Sequence, residues 1–231
     1  MTRKQNGGWK AMPVVWFLTA LGAAAPAAGQ APTEPRIWTN VQTQGRFEAS
    51  SAWRWTSDSI MRTRDGAGAL DFLAERIVVT RELTRRSSVG VGYAYGAGFP
   101  DAGSLREHRF VQQYAWSGGV RRRVSLKSRV EERFVTGHAS MLLRARQQVR
   151  VTWPLATRRG LQGVTSNELF VQTTASTPAS WGFDSNRMFV GIARTLTPRT
   201  GMEIGYTNVY SHGASGNRTS HIMSVMLVVV L

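Results

Sequence analysis

Between Leu143 and Trp153 the chain alternates apolar and polar residues, and that two-residue period restricts what can be built from it. Leu143, Ala145, Val149, Val151 and Trp153 fall on one side, interrupted by Gln147, and Arg144, Arg146, Gln148, Arg150 and Thr152 fall on the other. Successive side chains of a strand point to opposite faces, so the segment reads as a strand with one apolar and one arginine-rich face. A row of arginines cannot line a dry core, because an unpaired buried guanidinium costs several kcal/mol. The charged face must meet bulk water, or look into a closed lumen where acids and water satisfy it.

The pattern recurs. Lys127, Arg129, Glu131 and Arg133 stand opposite Leu126, Val130 and Phe134, and Met188, Val190 and Ile192 stand opposite Arg187, Phe189 and Gly191. No sustained 3.6-residue apolar stripe follows the N-terminal region. Short alternating segments are separated instead by glycine, proline, serine and aspartate clusters. Ten are read, at about 36–56, 69–83, 87–97, 106–117, 121–135, 141–154, 161–174, 186–196, 201–211 and 219–231. Their connections sort by length, short at Arg85–Arg86, Pro198–Arg199 and Ala156–Gly160. They are longer at Thr56–Ala67, Gly96–Leu105, Thr174–Ser185 and Ser211–Thr219, with Thr136–Ser140 a short loop on the long side. Outer-membrane barrels sort their loops in this way, whereas a soluble sandwich has no reason to. The sequence therefore predicts an all-β chain, an antiparallel up-and-down transmembrane β-barrel of about ten strands with short periplasmic turns and longer outer loops.

That fold carries further expectations. An even strand number should bring both termini to the periplasmic side, with the strand near Ile37–Trp55 closing antiparallel against the one ending at Leu231. Leu143, Val149, Val151, Met188, Val190 and Ile192 should face lipid, with Val151 near mid-membrane, where Val151→Arg should cost about 2–4 kcal/mol. Trp38, Trp53, Trp55, Tyr93, Trp116, Trp153, Trp181 and Tyr210 lie near segment ends and suit interfacial girdles. Met223, Val225, Leu227, Val229 and Leu231 form one apolar face of the last strand, the kind of terminus that barrel-assembly machinery reads.

The first thirty residues predict an export signal. Arg3, Lys4 and Lys10 form a positive n-region, Met12–Ala25 an apolar stretch too short to anchor, and Ala25-Pro26-Ala27 or Ala27-Ala28-Gly29 a cleavage site. Residues 1–30 are thus expected to be removed, leaving 31–231 as one barrel domain in the outer membrane of a Gram-negative envelope. Without those three charges the formal net charge of +15 falls to +12, and Lys127 is the one remaining lysine. The absence of cysteine excludes disulfide scaffolds, thiolate zinc sites and cysteine nucleophiles. At 42% hydrophobic and 10% aromatic residues the chain is no disordered basic tail.

From about Ser125 onward the order of motifs resembles the bacterial family known as domain of unknown function 2490. The resembling residues are Arg129-Val130-Glu131-Glu132-Arg133-Phe134, then Leu143-Arg144-Ala145-Arg146 leading to Trp153-Pro154-Leu155. Next come Asn167-Glu168-Leu169-Phe170, Phe183-Asp184-Ser185-Asn186-Arg187, Glu203-Ile204-Gly205-Tyr206 and the closing strand with His221. The resemblance implies an exported outer-membrane barrel and attaches no activity to it.

Glu131, Glu168 and Glu203 share the expected inward face with Arg129, Arg133, Arg144, Arg146, Arg150 and Arg187. Arginine forks take carboxylates bidentately, so these nine residues are expected to form a lumen charge network. Two roles fit, a polar plug that holds the barrel together and a narrow path for anions or small solutes. The alternative from another class is a lipid-modifying hydrolase using His212, Ser215 and Asn217 in the last outer loop, or His138 in another. No metal-ligand spacing, P-loop or dinucleotide fingerprint occurs. Neither catalysis nor a cofactor is therefore expected. Nucleic acid is not an expected partner of an exported chain whose arginines alternate inward. Outer-membrane lipid is, and Arg62, Arg64, Arg106 and Arg218 are candidates to touch lipopolysaccharide phosphates.

Overall fold

The computed structural model describes residues 36–49, 51–100, 103–120, 122–155, 160–174, 182–212 and 216–231. The expected export signal lies outside them. The described residues form a closed barrel of eleven strands. In chain order these are β1 (Arg36–Arg46), β2 (Trp53–Arg64), β3 (Ala69–Glu82), β4 (Ser87–Gly98), β5 (Leu105–Gly118) and β6 (Arg123–Val135). They continue as β7 (Leu142–Pro154), β8 (Leu161–Gln172), β9 (Gly182–Thr197), β10 (Thr200–Ser211) and β11 (Arg218–Val230). Each strand pairs antiparallel with its chain neighbours, and β1 closes the ring on β11.

The count of eleven, where about ten were expected, comes from the first segment. It contains two strands, β1 and β2, and most of the supposed loop from Thr56 to Ala67 is β2. Its alternation is masked because Ser57 and Ser59 occupy the outward positions beside Asp58 and Arg62 on the inward ones. An odd number has a topological consequence. β1 and β11 run in the same direction, so they pair in parallel, from Arg36 against Ile222 to Gln44 against Val230. The expected antiparallel closure is therefore corrected, and so is the expectation that both ends lie on one side. The N-terminal end of β1 is at one rim and the C-terminal end of β11 at the other. Connections sort by length only in part. The rim where β11 ends holds the shortest, Pro198–Arg199, and the opposite rim holds the longest, residues 173–181.

The outward face is mainly apolar, with Val41, Ile77, Val91, Val149, Met188, Val190, Ile192 and Met223 all exposed. Trp53, Trp55, Trp116 and Trp153 gather at the short-turn rim. Two of these indoles cover glycines of the facing strand, Trp55 against Gly45 and Trp153 against Gly163; a methyl group at Gly163 would collide with the ring and one at Gly45 would press on it. This places a flat aromatic on backbone that would otherwise be bare. Trp38 departs from the expected girdle because it points inward, and Trp181 lies outside the described residues.

Polar residues interrupt the outward face near the middle of several strands, and they bond to each other across the ladder. Ser57 and Ser59 donate to Glu75, Gln112 to Glu132 and Ser128 to Gln147, and Asn167 and Asn186 exchange two bonds of 3.0 Å. Gln147, the exception in the alternation of β7, thus has its own cross-strand partner.

Candidate functional site

The inward face is where the charge lies. Register explains why the acids and arginines meet: Glu131 on β6 stands directly opposite Arg144 on β7, and Arg146 is one pleat further along the same face. Glu131 is 1% exposed and both its oxygens are occupied. Arg144 donates through Nε and Nη2 to Oε2 at 3.0 and 2.7 Å, and Arg146 donates to Oε1. Arg146 also reaches Glu168 on β8, at 3.2 Å from Nε and 2.7 Å from Nη2. Its direct cross-strand neighbour on β6 is Arg129, a like charge, so leaning toward two carboxylates relieves a pairing that would otherwise repel. Phe170, fully buried, offers its ring to Arg146 at 4.6 Å.

Further pairs extend the network around the wall. Arg150 pairs with Glu203, which joins β7 to β10 although the two strands are not neighbours. Arg133 pairs with Glu107 on β5 rather than with Glu131. Arg129 donates from Nε to Gln113 at 3.1 Å and has no carboxylate partner among the described residues. Arg187 stands opposite Glu168 in register, but the structure does not bring their charges into a pair, since Arg146 already engages that carboxylate. All nine residues expected on the inward face project into the lumen, and Arg129 and Arg187 do so without an acid.

Several lumen residues escaped sequence reading. Asp58 is buried, accepting from Arg76 at 3.0 and 2.6 Å and from Gln42 at 2.7 Å. Glu107 is buried between Arg109 and Arg133. Glu107 follows the same two-residue period as the expected set, so tracing the inward parity through β5 would have found it, whereas the polar faces of β2 hide Asp58. Arg62, expected in an outer loop, lies in the lumen instead, with its guanidinium 4.2 Å from the Trp38 ring centre and 5.1 Å from that of Phe72. Arg106 and Arg218 remain exposed at the long-loop rim. Of the hydrolase candidates, His212 Nδ1 lies 2.7 Å from Asn217 Oδ1, His138 sits in the separate 136–141 loop, and Ser215 is outside the described residues.

A family described as a protein of unknown function (DUF2490) matches residues 35–220, nearly the whole barrel. The chain belongs to this family. A relative by sequence comparison is an uncharacterized protein of Methylorubrum extorquens, 27% identical over 223 residues, covering 92% of this chain and 94% of the relative. Among solved structures, the NanC porin in a rhombohedral crystal form aligns with 80% of this DUF2490 chain and 94% of its own, at 11% identity and a TM-score of 0.46.

Proposed function

We propose that this DUF2490 protein is a non-enzymatic outer-membrane barrel whose cross-braced lumen passes small anions. The observation that carries the reading is the imbalance of charge inside. Asp58, Glu107, Glu131, Glu168 and Glu203 are each taken by an arginine, while Arg62, Lys127, Arg129 and Arg187 have no carboxylate within ion-pair distance among the described residues. A narrow water-filled path with fixed cations left over attracts anions and repels cations. The test is a planar bilayer holding the mature chain under a potassium chloride gradient. The reversal potential should have the sign of anion selectivity, and Lys127→Glu should move it toward the cation side. Cation selectivity in the wild-type channel would sink the proposal.

A second reading has its own support. Arg150–Glu203 ties non-adjacent strands, as a brace does, and a lumen that serves only as a brace would hold conductance at background.

The location rests on the outward face, with its apolar band, its tryptophans at the short-turn rim and exposed Arg106 and Arg218 near the longer loops. Those two arginines suit contact with lipopolysaccharide phosphates, and the apolar outward face of β11, from Met223 to Val229, suits engagement by assembly machinery. Lipid contact has a sharp test in the Asn167–Asn186 pair. Asn167→Leu alone leaves Asn186 Oδ1 without its donor in hydrocarbon and should cost about 1–3 kcal/mol, whereas the double change to leucine should be nearly neutral. Equal losses in urea titrations of the two variants would mean that water reaches this face.

A further inference from the structure

Trp38 is the only tryptophan among the described residues whose ring carries two guanidinium groups. Arg62 approaches it to 4.2 Å and Arg187 to 5.2 Å, and Arg187 also lies 4.3 Å from the Phe170 ring. The three residues come from β1, β2 and β9, so they converge across the lumen rather than along one strand. Every nearby acid is already engaged: Glu168 by Arg146, Glu131 by Arg144 and Arg146, Asp58 by Arg76 and Asp71 by Arg36. Two like charges on one aromatic platform repel, and neither has a carboxylate within ion-pair distance among the described residues. Several of their hydrogen-bonding atoms are idle as well. Arg62 Nε, Arg187 Nε and Trp38 Nε1 are all shielded donors without an acceptor among the described residues, and Asn40 Oδ1, two residues along the same face of β1, is an acceptor without a donor.

We propose that these residues form a binding site for an oxyanion that also bears a hydroxyl, such as hydrogen phosphate or a small hydroxycarboxylate. This inference rests on the reading that small anions enter the lumen. A guanidinium presents its donors as a fork, which two oxygens of one anion match bidentately and a spherical ion cannot. The indole N–H adds a third donor. Asn40 Oδ1 accepts from the hydroxyl, which selects against anions made only of acceptors. The strand wall separates the site from lipid, so the ligand is a solute in water and not a headgroup.

Calorimetric titration of the folded protein in detergent tests binding without requiring conduction. Inorganic phosphate and lactate should each bind saturably at constant ionic strength, and chloride should not. Arg62→Gln and Arg187→Gln should each weaken binding at least tenfold, with Arg85→Gln, in the exposed turn between β3 and β4, unchanged. Arg187→Lys keeps the charge and loses the fork. It should weaken phosphate binding too, which protects the test if a neutral substitution fails to fold. Chloride binding as tightly as phosphate, or unaltered phosphate binding in Arg187→Lys, overturns the site. Phosphate binding lost in these variants supports it even if bilayers show no conductance, whereas anion-selective conductance without phosphate or lactate binding overturns the site and leaves the anion path standing.

Discussion

Glu131→Gln should lower the stability of the folded barrel by about 3–5 kcal/mol, the range for removing one partner of a buried ion pair. Glu131 is 1% exposed and Arg144 and Arg146 are each 9% exposed, so solvent does little to screen the group. The neutral amide can still accept a hydrogen bond, but it leaves two guanidiniums from adjacent pleats of β7 facing each other. Arg146 retains Glu168, whereas Arg144 keeps only a 3.6 Å approach to Asp184. Urea titration in phospholipid vesicles, followed by tryptophan emission, gives the measurement. Replacing Glu131 and Arg144 together with methionine should cost less than Glu131→Gln, because no uncompensated charge is left behind. A loss below about 1 kcal/mol for Glu131→Gln would show that water solvates the pair and that the network does not hold the wall together.

Val190→Arg should cost about 2–4 kcal/mol in the same titration, as expected for a charge on the outward face at the midplane of a bilayer. Val190 is 54% exposed, lies in the middle of β9 and faces outward between Thr165 and Tyr206. Val151→Arg, for which the alternation suggests a mid-membrane depth, falls near the rim in the structure and is the internal control. Val151 is three residues from the end of β7 and two from Trp153, at the tryptophan-lined rim, where the same charge can reach the interface and should cost about 0–1 kcal/mol. Equal losses at the two positions would deny a depth gradient, and silence at both would mean that this face is not in lipid.

How much of this was legible depends on the contrast between the faces. β7 shows its orientation plainly, because Arg144, Arg146 and Arg150 cannot share a surroundings with Leu143, Val149 and Val151. β2 does not, because Ser57, Ser59 and Asp58 make both faces polar, and the missed strand carried the count and the closure with it. Trp38 has no strongly charged immediate neighbour to fix its parity, so an aromatic near a strand end read as girdle. The pairing within the lumen was legible in composition and only partly in partnership. Register places Glu168 opposite Arg187, but the diagonal reach of Arg146 takes the carboxylate. Both competitors are arginines and both lie against the Phe170 ring, so the outcome turns on the directions the side chains take inside the lumen, which have no signature in spacing.

The parallel seam between β1 and β11 limits how this ring could be rewired. In a barrel with an even number of strands the two ends of the wall meet at one rim, and a short linker could join them while a new opening is cut in any loop. Here Arg36 and Val230 are at opposite rims, so such a linker would have to run the full height of the wall, through the crowded lumen or along the outward face. A circularly permuted version with a short linker is therefore closed off by topology, and reporters attached at Arg36 and at Leu231 would sit at opposite rims of the barrel.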